Sequence, residues 1–460
     1  MDIIYLIMHQ EQNATNYGSL VFTVEDPGFG GLSVRTPAQT PKSRSSPRGF
    51  PKNPNYRWYI LCLAALTCTL AVAAPTMCMP VLFKEISGEL NLNLVQVGLV
   101  WGIGSLPGIF TALAGGAVGD RFGPKRILIL ACLLTGLVGA LRGLANSFVS
   151  LSAAVFLLGF LSPFISMNVF KTCGIWFPPR QLVLASGVVS MGMALGFLIG
   201  SMISATLLSP WLGGWRNVMY FYGIIAMALS LPWSFTRLAP ASAGLPAGGT
   251  GTKSMRQTIS HVAHIRNIWL LGLAILGISG CIQGTLGYLP LYLRGQGWSE
   301  VAADGALAAF HTISMLCVIP IALWSDKFGS RKKMLIAAAL MITIGVSLLS
   351  VAGGMLVWVA VCMAGMVRDG FMAIFITTTI ETRGIGPAYA GTATGFVMIF
   401  SGLGSLIAPP LGNSLAAVAP GLPFVFWAGL TLVGIAGLYA IRTRDVQPVH
   451  VPSEGNRDLT

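Results

Sequence analysis

A few polar residues lie inside long apolar runs, where an ionisable group costs several kcal/mol unless it faces water or a partner. Arg368 is close to the middle of one such run, with Asp369 about 100° away around a helix. A guanidinium there could bind an anion through its planar fork. The competing role is an Arg368–Asp369 contact that only locks helices. His311 is mid-run, and Asp304 lies two turns before it on the same helical face. A histidine titrates near neutral pH, so His311, Asp304 and Asp369 are candidates for coupling proton movement to a substrate. Asn168 and Lys171 share a face of another run, where Lys171 either meets an anion or reaches back to the interface. Gln283 and Tyr288 accompany Gly280, Gly284, Gly287 and Pro290, a composition that can loosen a helix beside a water-filled cavity. They are candidate neutral contacts. Arg142 reads as an anchor at a membrane boundary.

The elements that must carry these residues follow from composition. The chain has 460 residues, 54% hydrophobic and only 9% charged, with a mean hydropathy of +0.74. A soluble domain would carry about a quarter charged residues. The deficit excludes an ordinary cytosolic enzyme, a disordered protein and a nucleic-acid binder, despite a net charge of +13. A membrane-crossing helix needs about 20 apolar residues. Twelve such runs occur: 57–83, 93–117, 126–145, 148–172, 181–208, 217–236, 267–291, 301–324, 334–352, 355–379, 386–412 and 421–441. No Walker sequence, His-Glu-x-x-His motif, Ser–His–Asp spacing or Cys–His metal spacing is present. No enzyme activity, cofactor or metal is therefore expected.

Lys and Arg set the expected orientation. With the N-terminus in the cytoplasm, only Lys84, Arg142, Arg216 and Arg294 fall on the outer side, and Arg368 falls within a span. The rest of the 28 are cytoplasmic, so basic loops facing anionic lipid account for the net charge. Residues 1–55 read as a disordered cytoplasmic tail, or as an extension ahead of a later start site. Residues 238–265 read as a Gly-rich cytoplasmic linker with solvated His261 and His264 near its end. It separates six-helix bundles at 56–237 and 266–445, and 446–460 is a short tail. The eight cysteines lie in or beside spans and read as packing residues. Gly192, Gly196 and Gly200 form a small-residue face suited to close helix contact.

The two halves echo each other. Gly119-Asp120-Arg121-Phe122-Gly123-Pro124-Lys125-Arg126 follows the second span, and Ser325-Asp326-Lys327-Phe328-Gly329-Ser330-Arg331-Lys332 follows the eighth. Such a parallel repeat indicates duplicated six-helix halves. The first copy, extended back to Gly116, resembles the loop 2–3 signature of the major facilitator superfamily. The second has Ala322 where the signature begins with Gly. Gly214-Trp215-Arg216 and Trp176-Phe177-Pro178-Pro179-Arg180 are also similar to that family.

The resemblance covers residues 56–445. It implies an all-α polytopic fold of twelve helices in two pseudo-symmetric bundles that rock around a midplane site. A single chain would then act as a monomer in the cell membrane with both termini cytoplasmic. It also implies a cytoplasmic gate made by Gly116, Asp120, Arg121, Gly123, Lys125 and Arg126, with Asp326, Lys327, Gly329, Arg331 and Lys332 in the second copy. The signature positions suit this: Gly123 permits a tight turn, and the charges can pair in one state and part in another. Span five lacks the Gly-Pro pair of drug–proton antiporters. Span eleven lacks the basic residue of oxalate–formate-like carriers, and span two lacks the arginine of nitrate carriers. The mid-span charges lean positive, so the expected cargo is a small organic anion, moved by proton symport or exchange. The alternative is an exporter of amphipathic or neutral compounds.

Overall fold

The computed structural model describes residues 55–236, 255–327 and 330–441. Among them the span-forming helices make twelve rods, numbered here in chain order. Spans one to six are Tyr56–Leu90, 94–122, Pro124–Leu144, Phe148–Trp176, 179–212 and Trp215–Phe235. Spans seven to twelve are Arg266–Gly295, Glu300–Lys327, Arg331–Leu348, Met355–Ile380, Gly386–Leu415 and Leu422–Ala440. Ten contain a stretch long and apolar enough to cross a membrane. Span two contributes a shorter apolar helix, Leu94–Gly108, and span nine opens on three basic residues. The protein is a multi-pass membrane protein of two six-helix bundles.

Helix ends depart from the apolar runs where hydrogen bonding outlasts hydropathy. Span one continues past the expected residue 83, through Lys84, Glu85 and Glu89, until Asn91 turns left-handed at φ 51°. Span nine begins three residues early because Arg331, Lys332 and Lys333 are already helical. Span ten, expected as one helix, is interrupted at Val367, with helices Met355–Met366 and Arg368–Ile380 on either side. Spans one and five each contain a π-helical segment, Cys68–Ala73 and Ser204–Leu208. In span one the widened turn leads into Pro75, whose missing N–H cannot continue the regular ladder. The end of the presumed linker is not flexible chain: Met255–Ala263 is a helix. There His261 stacks on Tyr389 at 4.4 Å and its Nε2 lies 2.9 Å from the Gly384 carbonyl.

Small residues bring spans together. A methyl group on Gly192 or Gly200 would meet the Ala65 or Ala74 carbonyl of span one within 3 Å, and Thr69 Oγ1 donates to the Gly192 carbonyl at 2.7 Å. Five of the eight cysteines are buried packing residues. The buried apolar residues fall into two clusters. One holds the start of span one, the ends of spans four and six, and the starts of spans three and five, all at the signature-loop end of the first half. The other runs through the second half and joins it to the first at the far end. The halves therefore share one core at the far end and have separate cores at the signature end.

Candidate functional site

A cavity of about 340 Å³ opens between the halves. Span one supplies Thr76, Met77 and Met79; span two supplies Trp101 and Ser105; span four supplies Leu158, Gly159 and Ser162; span five supplies Phe197. The second half contributes Gln283 from span seven and Arg368 from span ten. The last side chain is Arg142, from the end of span three. Among the described lining residues, two are guanidiniums and none is a carboxylate.

Arg368 is placed by the interruption of span ten, being the first residue of its second helix. Its guanidinium lies 5.8 Å from the Phe197 ring, within cation–π range. Its Nη1 is 3.3 Å from Asp369 Oδ1. Asp369 sits in the first helical turn, where the helix dipole favours its charge, and it is bonded to span eight. Ser314 Oγ donates to Asp369 Oδ2 at 2.7 Å, and the Asp369 N–H reaches Ser314 Oγ at 3.3 Å. Arg368 thus lines the cavity and also touches its neighbour.

Gln283 also lines the cavity, and its carbonyl accepts the Trp101 indole N–H at 2.7 Å. That bond ties span two to span seven at the far end, where Asn413 Nδ2 of span eleven also donates to the Leu94 carbonyl at 2.9 Å. Tyr288 is elsewhere. It packs with Tyr292, Phe424 and Trp427, and its hydroxyl donates to the Pro420 carbonyl at 3.2 Å. His311 is buried behind the wall, 5.3 Å from the Phe197 ring, and neither ring nitrogen has a hydrogen-bond partner. Asp304 is not beside it in any contact; it is buried with Arg294, whose Nη2 reaches its two oxygens at 2.6 and 2.8 Å. Asn168 is buried with Nδ2 donating to the Phe164 carbonyl, and Lys171 is half-buried one turn on; neither is among the described lining residues.

Arg142 differs most from its sequence reading. It is not a boundary anchor but is 1% exposed. Nη1 donates to the Pro75 carbonyl at 2.9 Å and Nε to the Gly139 carbonyl at 3.3 Å, while Nη2 is buried without a hydrogen-bond partner. Trp101 and Phe197, which shape the cavity, were not singled out by sequence because aromatic residues in apolar runs look like any core.

The signature loops lie away from the cavity. Gly123 adopts φ 81°, and Pro124 opens span three. Lys125 Nζ donates to the Thr236 carbonyl at the end of span six, 2.6 Å away. Lys332 Nζ does the same at the end of span twelve, to the Tyr439 and Ile441 carbonyls at 2.8 and 2.5 Å. Arg331 pairs with Glu381 at the end of span ten. Arg121 and Arg126 are exposed. These contacts stay within one half. Gly116 lies within span two, whereas Gly329 and the side chains of Asp120, Asp326 and Lys327 lie outside what is described.

The profile described as Major Facilitator Superfamily matches residues 61–399. The chain is 26% identical over 304 residues to the cis,cis-muconate transport protein of Acinetobacter baylyi, covering 60% of this chain and 68% of that one. It is 24% identical over 424 residues to the gallate transporter of Pseudomonas putida, covering 84% and 90%. In structure it is similar to an inward-facing, occupied bacterial homologue of the human lysosomal transporter Spinster, with a TM-score of 0.71 at 15% identity over 86% of this chain and 99% of that one. Matched by the family profile across most of its spans, the chain is a transporter belonging to the Major Facilitator Superfamily.

Proposed function

We propose that the protein carries a small organic anion across the cell membrane by alternating access, through proton symport or exchange. The observation that carries this reading is the charge of the cavity: two guanidiniums and no carboxylate among its described lining residues. A volume of about 340 Å³ is at the small end of the roughly 300–1,000 Å³ usual for small-molecule sites. Two relatives named for organic anions, cis,cis-muconate and gallate, support the same class. Arg368 is the principal anion contact and Gln283 a neutral one.

Bundles at 56–237 and 266–445, joined by a cytoplasmic linker, move against each other, and both termini face the cytoplasm. The shared core at the far end and separate cores at the signature end suit a state open towards the cytoplasm. His311 is the proton-coupling candidate we favour, because its ring and the Arg368 guanidinium both lie against the Phe197 ring. One chain encloses the whole cavity, so a monomer suffices.

Thermal stability of the purified protein, against organic acids, inorganic anions, neutral amphipaths and lipophilic cations, tests this reading. A ligand that binds only the folded state adds about 2.7 kcal/mol at a hundredfold excess over Kd. At least one acid is expected to raise the midpoint in the parent, and Arg368→Ala to abolish that rise while remaining folded. Stabilisation by neutral or cationic amphipaths alone, unchanged in the variant, would instead support the apolar exporter that Met77, Met79, Trp101 and Phe197 could serve.

A further inference from the structure

The anion site has two cationic ends, and they are not equivalent. Arg368 comes from the second half and is partly offset by Asp369. Arg142 comes from the first half and is buried against the Pro75 and Gly139 carbonyls and the Cys78 thiol, with no carboxylate beside it and Nη2 without a hydrogen-bond partner. A buried charge with no opposite charge is strongly unfavourable, and leaving one of its N–H donors unmet adds to that cost. Its position explains why the chain can hold it there. The carbonyls of Pro75, on span one just after the π-helical turn, and of Gly139 fix two of its three nitrogens. The guanidinium is thereby held rigid at the cavity wall before any ligand arrives. Between the two arginines the wall is largely apolar, with Met79, Leu158 and Phe197.

We infer that the cavity is built for a dianion, whose two acidic groups are joined by a short hydrocarbon spacer and bind one to Arg142 and the other to Arg368. This rests on the anion reading and narrows it. Arg142 is then the residue that separates dianions from monoanions. A bound dianion also bridges the two halves, because its two contacts belong to different bundles.

The test uses the purified full-length protein and α,ω-dicarboxylates from succinate to suberate, each against its own monomethyl ester at neutral pH. Ester and diacid match in length and differ by one charge. In the parent, the best diacid is expected to raise the thermal midpoint at a concentration about tenfold lower than its ester, the worth of one charge-assisted hydrogen bond. Arg142→Gln should bring diacid and ester to parity, and Arg142→Lys should keep an intermediate preference. Equal response to diacid and ester in the parent overturns the inference while leaving the anion reading intact, and this needs no variant. Equal weakening of both by Arg142→Gln and Arg142→Lys also overturns it, leaving Arg142 as a clamp on the Pro75 carbonyl. If neither diacids nor esters stabilise the protein and only neutral or cationic compounds do, the anion reading itself fails.

Discussion

Arg142 and Arg294 invite comparison. Each lies near the far end of its bundle, on span three and span seven, and each is almost fully buried. Arg294 has Asp304 against it, and the two form a closed ion pair between spans seven and eight. Arg142 has carbonyl oxygens and no carboxylate. Each makes two hydrogen bonds and leaves a buried nitrogen without one, Arg294 at Nε and Arg142 at Nη2. Counting hydrogen bonds therefore does not tell the two apart; charge compensation does. A neutralised arginine is part of the scaffold, whereas an uncompensated one beside a cavity is receptive to an anion.

The sharpest way to break this comparison is Asp304→Ala. It strands Arg294 and is expected to cost about 3–5 kcal/mol, read as a large fall in the thermal midpoint in detergent. Replacing both partners, Arg294→Met with Asp304→Leu, should recover most of that loss. If Asp304→Ala were harmless, the pair would not be part of the scaffold. Trp101→Phe comes next. Loss of its bond to the Gln283 carbonyl is worth about 1 kcal/mol of far-end closure. A cysteine placed at Ser105 in the cavity, on a background without the exposed Cys62 and Cys362, should then react faster with a membrane-impermeant maleimide added from the far side. Unchanged labelling would remove Trp101 from the closure. The smallest effects belong to Lys125→Met and Lys332→Met, about 0.3–1 kcal/mol each for a cation at a helix C-terminus. Lys332 meets two carbonyls and Lys125 one, so the second-half variant should show the lower midpoint.

The fold was legible because a bilayer imposes its thickness on the sequence, and because Gly119–Arg126 and Ser325–Lys332 repeat at matching places. The interruption at Val367 was not, because no proline marks it, and Arg368 and Asp369 beside it read equally well as polar residues within one continuous helix. Arg368 and Gln283 stood out as polar residues in the middle of apolar runs, and both reach the cavity. Tyr288 stood out for the same reason and does not; nothing in a single run says which face meets which neighbour. Arg142 reads as a boundary residue because it closes a span. Its burial depends on the Pro75 carbonyl, 67 residues away in the chain. A signal was nevertheless present: no Asp or Glu occurs between Asp120 and Glu300, so this arginine has no nearby partner in sequence.

The two lysine caps have a consequence for how the chain is made. Lys125 precedes its acceptor Thr236 by 111 residues, and Lys332 precedes Ile441 by 109. During synthesis each lysine therefore emerges three spans before the carbonyl it will hold. Each bundle stays an unfinished ring until its last helix is delivered, and the same short bond then fastens it. A ribosome paused before Thr236 or before Ile441 would leave a half whose third and sixth places are not yet joined.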